Sequence, residues 1–298
     1  MRCATKIASG LFVLICCWLG VASAADLHVL VVQSDSKTLY QNFTQTVRQN
    51  LSPGIQLTVL QRAEEFDAQP ADLIVTVGVK ATDWVAGRTT QPLLATMIPS
   101  SFVVQTKPPR QFSAIYLDQP WHRQVLLLRA AMPERHRIGV LYSSGTELSA
   151  LKAELERHDD KLVAKAARGE GTLFADLEEV LTGSDVLLAV PDSAIYNSNT
   201  IRNILLTSYR HGIPLVGFSQ GYVRAGALCA IFSTPEQLAA QTGNTVTAFM
   251  QTRKLPESQF PALYTIDVNQ DVARTLGLNI KSAEALRLQI EKSSGGLR

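Results

Sequence analysis

Six short stretches of the sequence concentrate small hydrogen-bonding residues: Gln33-Ser34-Asp35, Gly78-Val79-Lys80, Pro99-Ser100-Ser101, Ser143-Ser144, Pro191-Asp192-Ser193 and Phe218-Ser219-Gln220, the last followed by Gly221 and Tyr222. They are rich in Ser, Gln and Gly and hold neither His nor Cys. Groups of this kind suit a small polar molecule gripped by neutral donors and acceptors. Asp192 is a lone carboxylate that could pair with a ligand ammonium, with capping of the following helix as the competing role. Lys80 could meet a carboxylate or stand solvated at a helix start. Tyr222, Phe218 and Trp84 could wall an apolar pocket, and for Trp84 core packing is the stronger alternative.

Signals for catalysis are weak. There is no G-x-S-x-G elbow, no H-E-x-x-H, no G-x-x-x-x-G-K-[ST] loop and no paired CxxC. The five histidines, His28, His122, His136, His158 and His211, are scattered and never fall at metal-ligand spacing. The expectation is a binding protein without metal or cofactor; an exported hydrolase using cleft Ser and Asp residues is the third-ranked reading.

These stretches follow apolar runs in a regular way. Strands are expected at Leu27 to Val32, Ile55 to Leu60, Asp72 to Val77 and Leu93 to Ile98, with helices carrying Tyr40, Phe43 and Val47 and then Ala81, Trp84 and Val85 between them. After the polar, proline-bearing segment 105–110 the pattern restarts, with a strand at Ser113 to Leu117 and a helix from Trp121 to Ala131. Its further strands are Ile138 to Tyr142, Leu162 to Ala166, Asp185 to Val190 and Pro214 to Phe218, separated by helices at Glu147 to His158, Leu173 to Leu181 and Thr200 to Tyr209. Strand and helix alternating this regularly predict an α/β fold of two doubly wound parallel-sheet units. The six stretches then lie at the carboxyl ends of strands, where loops and helix N-termini converge.

The chain of 298 residues is 46% hydrophobic and 18% charged, long enough for two domains and too apolar for disorder. Residues 1–24 read as a cleavable export signal: Arg2 and Lys6, an apolar run from Leu11 to Val21, then Ala22-Ser23-Ala24. The run is short for a membrane span, and Cys16 and Cys17 lack the small preceding residue of a lipoprotein signal. Without Arg2 and Lys6, cations and anions balance at 26 each. A balanced charge disfavours nucleic-acid binding. Cys3, Cys16 and Cys17 leave with the signal, so Cys229 is left alone in an apolar stretch, where a thiol acts as a small buried hydrophobe.

A further signal comes from Asp72 to Gly78, Arg137 to Tyr142, Asp185 to Asp192 followed by Ile213 to Val216 and Ala225 to Leu228, and Ile266 to Asn269 with Ala273, Leu276, Gly277 and Leu278. In this order they resemble the solute-binding proteins of ABC importers, in the branch of the type I periplasmic-binding fold that includes aromatic amino-acid binders. The resemblance implies a three-segment hinge, crossing near Asp118, Phe232 and Leu255, between lobe I (25–118 plus 233–255) and lobe II (119–232 plus 256–298). It implies ligand contacts at Gln33-Ser34, Gly78-Val79, Ser143-Ser144, Asp192 and Ser219, to which the loop reading adds Ser100, Ser101, Ser193 and Tyr222. Where the family usually has Asp-Pro after the fourth strand this chain has Ser100-Ser101, and Glu236 and Gln237 stand where an aromatic is more usual.

The expectation is therefore an exported periplasmic protein that captures a small organic solute, amino-acid-like in kind, and delivers it to an ABC permease in the inner membrane. The alternative partner is the ectodomain of a receptor or sensor kinase, to which the same fold would present its ligand.

Overall fold

The computed structural model describes residues 27–67, 69–102, 108–109, 111–143 and 146–295. The expected signal segment and Ser144 lie outside these residues. Two sheets form, one from each series of apolar runs, except that the run Ser113 to Leu117, which follows the break, joins the first sheet. In lobe I, β1 (Leu27–Gln33), α1 (Thr38–Gln49), β2 (Ile55–Leu60), β3 (Leu73–Val77), α2 (Val79–Ala86), β4 (Leu93–Ile98) and β5 (Phe112–Tyr116) make a parallel sheet of order β2-β1-β3-β4-β5.

Central position explains composition. β1 is flanked on both sides and covered on both faces: Leu27, Val29 and Val31 join Phe43 and Val47 of α1, whereas Leu30 and Val32 join Ala81 and Val85 of α2. A strand so placed must be apolar throughout. The edge strand β2 instead alternates, with Gln56 and Thr58 exposed.

Lobe II follows as α3 (Trp121–Ala131), β6 (Arg137–Tyr142), α4 (Ser149–Glu156), β7 (Lys161–Ala166), α5 (Leu173–Gly183), β8 (Val186–Leu188), α6 (Ile201–Arg210), β9 (Leu215–Gly217), α7 (Gln220–Ala225) and β10 (Cys229–Phe232). The chain then runs through α8 (Pro235–Thr252), which packs on α1, and returns as β11 (Thr265–Val268), α9 (Gln270–Thr275) and α10 (Ala283–Gly295). The second sheet has order β11-β10-β9-β8-β6-β7, with β11 antiparallel to β10 and the other pairs parallel. Some expected boundaries move. The strand foreseen over Asp185 to Val190 is regular only at Val186–Leu188, although Asp185 N and Ala189 N still donate to Arg137 and Val216, and the helix foreseen from Glu147 starts at Ser149, whose amide donates to the Glu147 carboxylate at 2.8 Å. Among the described residues no helix is long and apolar enough to cross a membrane.

Three segments cross between the lobes. The first follows β5, the second is Ser233-Thr234, and the third lies past Leu255, because Gln259 still exchanges backbone hydrogen bonds with Ala114 and Tyr116 beside β5. Side chains tie the three together: Gln119 Nε2 donates to Ser233 Oγ at 2.8 Å, and Ser233 Oγ donates to the Leu263 carbonyl at 2.5 Å. Arg123 adds a bond from Nη1 to the Pro261 carbonyl at 3.0 Å and lies over the Tyr264 ring. Gln119 and Ser233 are buried, so water cannot replace these bonds. Gln237, read in the sequence as a departure near the pocket, has a local task. It completes a capping box with Thr234 and starts α8 directly after the second crossing.

Replacing Ser233 with Ala removes both bonds and strands the Gln119 amide and the Leu263 carbonyl. The expected loss of stability is about 1–3 kcal/mol, read from urea unfolding midpoints; an unchanged midpoint would show that the crossings are not coupled through this hydroxyl.

Candidate functional site

Parallel strands end on one side of each sheet, and the two sheets turn these ends toward each other. Between them lies a cavity of about 750 Å³. Lobe I supplies Ser34 after β1, Tyr40 of α1, Gly78 after β3, Val79, Asp83 and Trp84 of α2, Met97 of β4 and Leu117 after β5; lobe II supplies Pro191, Asp192, Ser193, Tyr196 and Phe218. Two smaller cavities adjoin. One, of about 390 Å³, shares Pro99 and Pro191 with the first and is lined by Ser100, Ser101, Asp118, Trp121, Thr146 and Glu147. The other, of about 320 Å³, shares Tyr196 and Phe218 and is lined by Ser219 and Tyr222.

The twelve residues picked from the sequence therefore separate. Ser34, Gly78, Val79, Asp192 and Ser193 meet in the main cavity, Ser100 and Ser101 stand in the second, and Ser219 and Tyr222 in the third. Gln33 lies beneath the surface at 1% exposure, with Nε2 donating to the Tyr40 carbonyl at 3.0 Å and to Thr44 Oγ1 at 2.7 Å; it fastens α1 to β1. Ser143 lines none of these three cavities. Its amide donates to Asp192.

Several polar groups that looked like ligand contacts hold the loops in place. Ser34 Oγ accepts from Ala81 N at 2.9 Å and so caps α2 from a neighbouring loop, because the residue at the cap position is Gly78. Gly78 has φ +90°, and a Cβ there would sit 2.7 Å from Ser34 Oγ, so both conformation and space require glycine. The Asp192 carboxylate accepts from Ser143 N at 2.7 Å, Thr146 Oγ1 at 3.0 Å and Ala194 N at 3.1 Å. It joins the loops after β6 and β8 and starts the tight turn that leads to Tyr196. The capping alternative describes its contacts better than the ammonium pairing does.

Aromatic and apolar faces supply much of the remaining wall. Tyr196, Phe218 and Tyr222 cluster with ring centroids 4.5–6.4 Å apart, and Gly217 lets Tyr222 approach the end of β9. Burial pushes the Tyr222 hydroxyl up to about 12 and raises that of Tyr196 as well, so both remain neutral at neutral pH. Trp84 lines the cavity while also packing against the core beneath α2, so both readings of this residue hold. Buried polar atoms with no hydrogen-bond partner among the described residues include Asp83 Oδ1, Trp84 Nε1 and the Tyr196 hydroxyl.

The sequence reading did not assign Tyr40, Asp83, Met97, Leu117 or Tyr196 to the site. Tyr40 carried a signal as part of the apolar stripe of α1, but its place at the first turn aims it at the strand ends. Met97 sits at φ +56° beside the register shift between β4 and β5, a backbone feature with no counterpart in residue type. Among the described residues no group of three or more His, Cys, Asp or Glu side chains could hold a metal ion. Cys229 is buried in β10, where burial lifts its thiol to about 12.

The sequence profile of the family described as ABC transporter substrate binding protein matches residues 39–293. No curated protein matches the chain in sequence. Three solved structures share the fold. A conserved domain protein from Vibrio cholerae O1 biovar eltor is 20% identical at TM-score 0.64, covering 89% of this chain and 98% of that one. An ABC domain in complex with L-Trp from Streptococcus pneumonia is 18% identical at TM-score 0.63, covering 88% and 98%. The ligand-free, open form of a substrate binding protein with adhesive properties from Clostridium difficile is 19% identical at TM-score 0.67, covering 87% and 97%.

Changing Asp192 to Ala leaves the donors Ser143 N, Thr146 Oγ1 and Ala194 N without their acceptor. The variant is expected to lose at least about 2 kcal/mol of stability in the absence of any ligand, measured by urea unfolding. Wild-type stability would instead assign the carboxylate to ligand contact alone.

Proposed function

The chain belongs to the ABC transporter substrate binding protein family, and from that membership we propose that it is exported, captures a small organic solute between its lobes and passes it to a permease in the inner membrane. The observation that carries this reading is the 750 Å³ cavity, to which both lobes contribute. A solute that touches both halves stabilises the closed arrangement over the open one and so shifts the population toward it. The closed form is what a permease can distinguish from the empty protein.

The wall favours an apolar body of moderate size. Trp84, Phe218, Met97 and Leu117 offer apolar surface, while Ser193 and the backbone around Gly78 offer hydrogen bonds. The ring and ammonium of an amino-acid-like solute fit this description, and the Streptococcus pneumonia structure is a complex with L-Trp. This reading has the solute leave unchanged, in keeping with the family; Ser34 Oγ accepts from a backbone amide, and among the described residues no histidine or cysteine lines the three cavities.

The test is a thermal-shift screen of the purified protein against amino acids, amines, nucleosides and organic acids, with mass spectrometry of whatever binds. A solute at about 100 times its Kd adds about 2.7 kcal/mol, so at least one member should raise Tm by several degrees and be recovered intact. A flat response across the panel, or recovery of a product, would refute the proposal.

A further inference from the structure

Building on the solute-binding reading above, we infer that the cleft selects an organic cation: a compound with a flat apolar body and a protonated nitrogen, and with no carboxylate of its own. The charges lining the cleft point this way. Asp83 and Asp192 line the main cavity, Asp118 and Glu147 the adjoining one. Among the described residues none of the four forms a salt bridge. Their hydrogen-bond donors are neutral: Ser100 for Asp118, Ser149 N for Glu147, and Ser143, Thr146 and Ala194 for Asp192. Such bonds orient a carboxylate without cancelling its charge.

Opposing positive charge is weak. Lys80 is the one cationic side chain lining these cavities among the described residues, and its Nζ is held 2.6 Å from Glu64. The N-terminus of α2 also faces the cleft, but Asp83 lies one turn in and offsets its partial positive charge, and Ala81 N is already bonded to Ser34. A carboxylate on a solute in the main cavity would thus meet Asp83 and Asp192 and little to balance them.

A separate observation places the charge and the ring. Asp83 Oδ1 is buried at the cavity wall with no partner among the described residues. An ammonium group donating to Asp83 Oδ1 would supply the missing partner, with Asp83 as its countercharge. Arg88 already lies over the Trp84 ring, 4.0 Å from its centroid, which leaves Phe218 at the cavity wall to attract a cation and stack on a flat body. The unpartnered Trp84 Nε1 takes a neutral oxygen or a ring π-face.

Three indoles that differ in charge test the idea: tryptamine, L-tryptophan and indole-3-acetate, titrated by calorimetry into the purified protein at neutral pH, with every hit of the broad screen ranked by net charge. Tryptamine, or another amine if the indole ring does not suit, should bind at least about tenfold tighter than its zwitterionic counterpart, with the anion unbound. Asp83→Asn, which removes no hydrogen bond within the described chain, should weaken the amine by about tenfold or more at an unchanged melting temperature. Binding of L-tryptophan or indole-3-acetate as tightly as tryptamine, hits confined to neutral or anionic compounds, or an indifferent Asp83→Asn variant would overturn the charge selection and leave solute binding standing. Silence across the whole screen would remove both.

Discussion

The buried hydrogen-bond chain from Gln119 through Ser233 to Leu263 makes three separate lengths of polypeptide behave as one joint. Each lobe has its own sheet and core, so nothing in the packing of either fixes where the other sits. The crossings do, and because they are few and short, the lobes can rotate about them while both cores stay intact. The same joint explains why both sheets present their carboxyl strand ends to a common space. Those ends carry the loops and helix N-termini on which binding groups are mounted.

Within that space there is a division of labour. The polar residues nearest the strand ends mostly rigidify the loops: Ser34 caps α2, Asp192 gathers three donors, Gln33 anchors α1 and Gln237 starts α8. Side chains further along the same loops and helices, such as Trp84 and Phe218, form the surface a solute would touch. Rigid loops of this kind reduce the ordering cost of binding, and apolar walls supply affinity without demanding a particular pattern of hydrogen bonds.

Much of this was legible in the residues. Largely apolar, β-branched runs such as Leu27 to Val32 read as buried strands, and their alternation with amphipathic stretches pointed to two parallel-sheet units. Serine and aspartate at the strand ends pointed to the same loops that line the three cavities. Their individual roles were not legible, because an Asp that caps a turn and an Asp that grips an ammonium look alike until the positions of Ser143 and Thr146 are known. Tyr196 and Met97 reach the cavity through irregular backbone after β8 and a register shift beside β4, and neither feature has a periodicity to read. The first hinge crossing was foreseen near Asp118, while the third lies past Leu255 because Gln259 adds itself to the edge of β5.

Relative motion of the two lobes is the central claim, and a distance across the cleft measures it most directly. Cysteines introduced at the exposed positions Ser36 and Asn199, one on each lobe, accept a donor and an acceptor dye, while buried Cys229 stays unreactive. Single-molecule transfer efficiency should shift toward a shorter distance on addition of a solute that calorimetry shows to be bound. An efficiency distribution that stays the same at saturation would mean that the halves do not close, and the account built on their joint would fail.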